Sequence, residues 1–439
     1  MSATEADPKA QPADRAAHLS SWARLRAILG GSAGNLVEWY DWFAFASLTL
    51  YFANDFFPQG ARNWQLLQAA GVFAIGFFAR PVGAWLMGLY ADRAGRRAAL
   101  TLSVSLMCLG SLVIAVAPTY AQAGAIAPAI LLGARVLQGL SVGGEYGASA
   151  TYMSEMAGRS RRGFWSSFQY VTLIMGQLIA LGVVKLLQAL MPAADLDEWG
   201  WRIPFFIGAV LAVVVFWIRR GIDESQSWTN RGGERVRTTM LFMRYPRESL
   251  MIMALTAAGS LSFYAYTTYI QKFLHNTAGF TREQATDINF AALLCFMLAQ
   301  PLFGWLSDIL GRKVMLIGAF GIGAAVAGPV FTALASTNDS TIALLLVLIP
   351  LLILSAYTSI SAVVKAELFP AYCRALGVAL PYAIANSLFG GTAEFAALWF
   401  KEQGVEAAFY FYVAGVASIA LLVSIFMRDT QRTSLIKED

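Results

Sequence analysis

The chain has 439 residues, 57% of them hydrophobic and 13% charged, with a formal net charge of +5. A soluble chain carries about a quarter charged residues. Here the deficit is filled by apolar runs of roughly twenty residues, each long enough to cross a hydrocarbon core as a helix. That excludes a soluble globular protein, and the short alternating segments of an outer-membrane barrel are missing.

The leader, 1–27, is polar and contains His18. It has neither the apolar core nor the cleavage site of a signal peptide, and it reads as a flexible tail. Twelve spans follow, at about 28–53, 64–88, 98–118, 124–152, 164–190, 202–219, 248–272, 284–306, 314–335, 341–366, 375–400 and 405–427. The expected organisation is an N-terminal six-helix bundle over 28–221, a linker over 222–247, a C-terminal six-helix bundle over 248–428 and a tail over 429–439. The fold class is all-α and integral to the membrane. Cys108, Cys295 and Cys373 lie in or beside spans without a CxxC, and His275 lies in a loop, so neither a disulfide framework nor a metal site is indicated.

Lysine and arginine placement orients the spans. One set of loops holds Arg93, Arg96, Arg97, Arg159, Arg161, Arg162, seven arginines of the linker region, Arg312 and Lys313. The other set holds little beyond Arg62, Lys272, Arg282 and Lys401, and its "ADLDE" (194–198) is purely acidic. Both termini and the linker are therefore expected in the cytoplasm. The positive charge reflects this bias and does not indicate a nucleic-acid partner.

The two halves repeat. "GLYADRAGRR" (88–97) follows span two and "GWLSDILGRK" (304–313) follows span eight, an offset of 216 residues. After span four, Glu155 and Arg162 are seven apart; after span ten, Glu367 and Arg374 keep that spacing. A duplicated six-helix unit is the internal symmetry of transporters that bind cargo between their halves. In each loop, glycines allow a tight turn, the acid (Asp92, Asp308) can accept backbone N–H groups at a helix start, and the arginines (Arg96, Arg312, Arg162, Arg374) can pair with Glu155 or Glu367. This reads as a charged cytoplasmic latch that forms in one state and breaks in another; a static turn with basic anchors is the competing reading.

The duplicated loop resembles the signature of the major facilitator superfamily. "GNLVEWYDWF", "FFARPVGAW", "ARVLQGLSVGGEYGASATYMSEMA", "GWRIPFFIGAVLA" and "KAELFPAYCRALGVAL" resemble the metabolite:proton symporter family of bacteria. The likeness covers nearly the whole chain past the leader. "SFQYVTLIMGQL", "AAGSLSFYAYTTYIQKFLHNTAG" and "YTSISAVVKAELFP" are in the style of its α-ketoglutarate-carrying branch. The resemblance implies a monomeric inner-membrane importer, without a cofactor, that takes up a dicarboxylate together with protons. α-Ketoglutarate leads; citrate, shikimate, or a zwitterion such as proline or betaine are the alternatives. The osmoprotectant branch typically continues into a long C-terminal extension, whereas this chain stops soon after Arg428. In "DRAGRR" the residue after Arg93 is Ala94, where that branch has histidine, so no proton role of that histidine transfers.

Ionisable residues at membrane depth default to function. They are Glu38 and Asp41 in span one, Arg80 in span two, Arg135 and Glu145 in span four, and Glu394 in span eleven. Lys185, Lys272 and Lys365 lie nearer span ends, where snorkelling explains them. Arg135, Gln138, Val142, Glu145 and Ser149 form one helical stripe, as do Asn35, Glu38 and Asp41. Spans one and four are neighbours in the resembled fold, which pairs Glu38 or Asp41 with Arg135. The acids are proton-site candidates, Asp41 first because it lies one turn deeper. Arg80 and Arg135 are anion-site candidates. If a substrate carboxylate competes for the arginine, the released acid is easier to protonate, so substrate and proton favour each other. A fixed ion pair is the competing reading. Tyr264 and Tyr357, then Gln169, are candidate hydroxyl and amide contacts, and Lys272 is a candidate second cation. Glu145 and Glu394 read equally as structural. No enzyme motif is present.

Overall fold

The computed structural model describes residues 21–94, 96–142, 154, 161–220, 238–370 and 372–436; within these, the side chains of 21–35, 88, 89, 91–94, 96–100, 142, 215–220 and 238–240 lie outside the description. Among the described residues, twelve main helical spans appear in order. They are α1 (Ser21–Phe56), α2 (Arg62–Ala94), α3 (Arg96–Val116), α4 (Ile126–Val142), α5 (Phe168–Leu190), α6 (Ile203–Arg220), α7 (Pro246–Tyr264), α8 (Arg282–Leu310), α9 (Arg312–Ser336), α10 (Ser340–Thr358), α11 (Arg374–Ala385) and α12 (Ala407–Phe426). Short helices extend several of them: Arg162–Ser166 before α5, Ile270–Asn276 after α7, Ser361–Glu367 after α10 and Ala393–Glu402 after α11. Seven helical stretches are long and apolar enough to cross a membrane by themselves. The chain is a multi-pass helical membrane protein.

The expected leader falls largely on 1–20, outside the described residues, and α1 begins at Ser21, earlier than the expected 28. The linker contains a short helix, Thr238–Arg244. Sequence chemistry sets the helix starts. Thr281 caps α8 by accepting from Gln284 N at 3.1 Å, while Gln284 Oε1 accepts from Thr281 N at 3.0 Å. Asp339 caps α10 through Thr341 N and Ile342 N.

The duplication reappears in the packing. In the first half α1 packs on α5, α2 on α4 and α3 on α6; in the second, α7 packs on α11, α8 on α10 and α9 on α12. Across the halves, α5 packs on α8, and α2 on the α11 region. Glycine permits the closest approach: a Cβ on Gly139 of α4 would stand 2.1 Å from the Gly76 carbonyl oxygen of α2. Apolar lipid adds no hydrophobic drive between helices, so such backbone contact supplies their cohesion. The outer surface is itself apolar, with Trp85, Val116, Leu190, Leu298 and Phe426 exposed.

Two helices of the second half each contain one wide, π-type turn, at 265–269 beyond α7 and at 386–390 beyond α11. A wide turn shifts the helical hydrogen-bond ladder and leaves carbonyls for side chains. The Thr267 carbonyl accepts from Gln177 of α5 and Asn289 of α8, both at 3.0 Å. In the second turn, Ser387 Oγ donates to the Phe77 carbonyl of α2 at 2.7 Å. Both wide turns therefore sit on the seam between the halves.

Candidate functional site

Trp42 of α1 is the centre of the site. The Arg80 guanidinium of α2 lies 4.0 Å from its ring centroid, and that of Arg135 of α4 lies 4.1 Å from it. The two cations are therefore within about 8 Å of each other. Phe77 also faces Arg80 and Phe45 faces Arg135. Aromatic faces hold a desolvated cation by about 2 kcal/mol each. The Tyr264 hydroxyl of α7 and the charge of Glu38 also act on Arg80. All seven of these side chains are buried.

Nε and Nη2 of Arg80, Nε and Nη2 of Arg135, and Nε1 of Trp42 are buried without an acceptor. Each such donor costs about 1–3 kcal/mol. A packing role leaves that cost standing. A ligand with several anionic oxygens removes it, and two carboxylates suit two guanidinium forks.

Asp41, the residue before Trp42, faces α3, α4 and α6 of the first half. Its Oδ1 accepts from Ser111 Oγ of α3 at 2.5 Å, and its Oδ2 accepts from Gln138 Nε2 of α4. Gln138 Oε1 accepts in turn from Arg135 Nη1 at 2.7 Å. Gly208 of α6 closes the pocket, where a Cβ would stand 2.8 Å from Oδ1. The expected pairing of span one with span four is thus corrected in detail. Asp41 reaches Arg135 through a neutral amide, because Gln138 is one turn from Arg135 and fills the gap. Glu38, one turn before Trp42 on α1, is close enough to Arg80 for its charge to act there.

The end bearing the arginine-rich loops is closed by charge. Asp308 accepts from Gly163 N at 2.8 Å and Phe164 N at 3.0 Å, at the start of a helix in the opposite half. Arg312 Nη2 pairs with Asp308 at 2.9 Å. Glu367 stands 3.8 Å from Arg162 and 4.0 Å from Arg312. Arg374 donates to the carbonyls of Ala366 and Phe369, each at 3.1 Å. The segment after α12 is woven into this cluster: Leu435 N donates to the Glu367 carbonyl at 3.0 Å, and Gln431 Nε2 to the Asp308 carbonyl at 3.0 Å. Gly311 makes the tight turn at φ 91°, and a Cβ there would meet Asp429 at 2.5 Å. Glu155 and the side chains of Asp92 and Arg96, as well as Glu145, lie outside the described residues.

The opposite end is also bridged between halves, by Lys185 to Asp287 at 2.5 Å and by Arg282 to Asp197. A cavity of about 460 Å³ lies there, lined by residues including Tyr51, Gln188, Asp197, His275 and Arg282.

The chain matches the family model described as sugar (and other) transporter over residues 27–249 and again over 229–438. It is a member of that transporter family. The match falls once on each half, as the internal repeat requires. The transporter is 53% identical to the α-ketoglutarate permease of Escherichia coli (strain K12) over 92% of this chain and 94% of that protein. It is 29% identical to a citrate-proton symporter of Klebsiella pneumoniae over 92% of each. Its fold is that of a solved major facilitator superfamily proton:xylose symporter, with a TM-score of 0.74, 19% identity and coverage of 96% of this chain and 99% of that one. The chain is a major facilitator transporter, not an enzyme.

Other expected residues of the transporter fall elsewhere. Lys272 does not snorkel: it is buried, pairs with Glu394 Oε1 at 2.7 Å and donates to the Ala46 carbonyl of α1 at 2.8 Å. Lys365 is likewise buried, 4.4 Å from the Tyr382 ring and donating to Ser361 Oγ at 2.8 Å. Only Lys185 keeps a partly exposed side chain. Tyr357 packs against Gly259 of α7 and Phe320 of α9. Gln169 is buried near the start of α5, towards the arginine-rich end. Among the described residues, no group of three His, Cys, Asp or Glu comes together as a metal site. Sequence reasoning missed Trp42, Ser111 and Gly208. Trp42 and Gly208 look like packing residues in apolar runs, while Ser111, a lone hydroxyl in "CLGSLVIAV", was a usable signal.

Proposed function

We propose that the chain is a proton-coupled importer of a dicarboxylate, first α-ketoglutarate, working by alternating access. The observation that carries this reading is the pair of buried guanidiniums on Trp42 with unpaired donors, one of them tied through Gln138 to a buried carboxylate. Arg80 and Arg135 take the two carboxylates of the substrate, with the Tyr264 hydroxyl beside Arg80. Asp41 takes the proton. When Asp41 is neutral, Arg135 loses its nearby counter-charge and holds the substrate more tightly. By the same linkage, bound substrate favours the proton on Asp41. Glu38 balances Arg80 when substrate is away. The relative at 53% identity, an α-ketoglutarate permease, supports this cargo, and the citrate-proton symporter supports both an acid and proton coupling.

The arginine-rich end faces the cytoplasm by the charge rule, with both termini on that side of a bacterial inner membrane. The latch of Asp308, Arg312, Arg162, Glu367 and Arg374, with the corresponding Asp92, Arg96 and Glu155, opens when the site turns inward. The protein acts as a monomer in the bilayer, and the proton is its coupling ion. The test is uptake of labelled α-ketoglutarate into proteoliposomes under an imposed proton gradient, competed by citrate, succinate, shikimate and betaine. Accumulation of α-ketoglutarate, suppressed best by unlabelled α-ketoglutarate, is expected. Failure to accumulate it while betaine accumulates overturns the assignment.

A further inference from the structure

Asp41 is enclosed by α1, α3, α4 and α6, and each of its oxygens accepts one hydrogen bond: Oδ1 from Ser111 Oγ and Oδ2 from Gln138 Nε2. That set suits a carboxylate. A protonated Asp41 differs in one requirement: one oxygen now carries a hydrogen, and a buried O–H needs an acceptor.

The neighbours divide sharply on this point. Gln138 presents its amide nitrogen, which only donates, and that orientation is fixed because its oxygen accepts from Arg135 at 2.7 Å. Arg135 itself only donates. Tyr40, next to Asp41 on α1, gives its hydroxyl hydrogen to the Pro204 carbonyl at 2.8 Å. Cys108, one turn before Ser111 on α3, directs its sulfur to the Ala209 carbonyl at 3.5 Å. Arg80 lies beyond the Trp42 ring. Gly208 of α6 brings no side chain.

Ser111 alone in this group can change role. Its Oγ lies 2.5 Å from Asp41 Oδ1 and also 3.1 Å from the Met107 carbonyl one turn back on its own helix. Rotation of the hydroxyl hydrogen from Asp41 to Met107 turns Ser111 from donor into acceptor without moving a heavy atom. Gln138 Nε2, 3.1 Å from Oγ, can donate to it in either state. We infer that Ser111 is the acceptor for the coupled proton on Asp41, a positioning residue that lets the acid form exist in a dry pocket. The proton enters the line between Oδ1 and Oγ, the serine hydrogen turns from Asp41 to the Met107 carbonyl, and the serine O–H bond itself stays intact. The inference rests on Asp41 as the proton site.

The test is difference infrared spectroscopy of the full-length transporter in lipid between high and low pH, with driven uptake of α-ketoglutarate alongside. Asp41→Asn should remove one carboxylic-acid C=O band and so assign it. In Ser111→Ala that band should move to higher wavenumber, because the acid hydrogen has lost its acceptor, and proton-driven accumulation should fall about tenfold. Ser111→Thr, which keeps the hydroxyl, should restore both. Ser111→Cys, with similar volume and a weak acceptor, should shift the band as alanine does and serves where the alanine variant does not fold. A band that Asp41→Asn removes and that stays in place in both Ser111→Ala and Ser111→Cys overturns the role of Ser111. A spectrum in which Asp41→Asn removes no band overturns Asp41 as the proton site, and the inference with it.

Discussion

The two halves bury charge in opposite ways. In the first half, Asp41 and Arg135 are joined through the amide of Gln138, and Asp41 is held by neutral donors. In the second half, Lys272 and Glu394 touch directly at 2.7 Å, and the lysine is further anchored on the Ala46 carbonyl of the other half. A carboxylate held by neutral donors can change protonation while its neighbours stay in place. A direct buried pair cannot, since neutralising one partner strands the other charge in low dielectric. The contrast assigns movement of charge to the first half and fixation to the second.

The largest expected effect breaks the fixed pair. Lys272→Met leaves Glu394 buried alone and should cost about 3–5 kcal/mol. Thermal unfolding in detergent should show it as a clear fall in Tm, and Lys272→Met with Glu394→Leu should recover most of the loss. Asp41→Asn, where the Trp42 and Phe45 faces still hold Arg135, should lower Tm less; equal losses at both sites would erase the contrast.

Next is the anion site. Arg135→Ala should weaken α-ketoglutarate binding about a hundredfold, the cost of removing one partner of a desolvated charge pair. Arg80→Ala should do likewise, and equilibrium binding to the purified protein checks both. Unchanged affinity in either variant removes that arginine from the site.

A smaller effect tests the packing of Asp41. A Cβ at position 208 would stand 2.8 Å from Asp41 Oδ1. Gly208→Ala should therefore displace the carboxylate and lower proton-driven uptake about tenfold, with substrate exchange less affected. Equal loss of both activities would mean general damage to α6.

The smallest effect lies outside the membrane. The N–H groups of Ile342 and Thr341 hold the Asp339 carboxyl below the usual carboxylate range. Its contribution to stability is complete above the unfolded value of about 3.9 and disappears as pH falls through the lower folded value. Asp339→Ala should give a slight fall in Tm at neutral pH that vanishes in acid, with transport unchanged.

Much of this architecture was legible in the sequence, because lipid imposes strong rules. Span length, arginine placement and the two latch loops gave twelve helices in two related sets before any contact was known. The acid of the second latch, Asp308, accepts backbone N–H groups at a helix start as the motif suggested, though the helix belongs to the other half. Depth was less legible. Lys272 and Lys365 sit near the ends of apolar runs, yet the helix following the wide turn at 265–269 carries the first of them inside, and its acid lies 122 positions away along the chain. Hydropathy has no register for such a partner. The Gln138 bridge was half visible, since the amide stood in the same stripe as Arg135. Trp42 was not, because an aromatic residue in an apolar span looks the same whether it meets lipid or two guanidiniums.

Coupling in this transporter turns on Asp41 as the carrier of the proton. The most direct measurement compares wild type and Asp41→Asn in proteoliposomes, by gradient-driven accumulation of labelled α-ketoglutarate and by counterflow exchange without a gradient. Asp41→Asn is expected to abolish accumulation while exchange remains measurable. Accumulation by Asp41→Asn at the wild-type level would contradict that role.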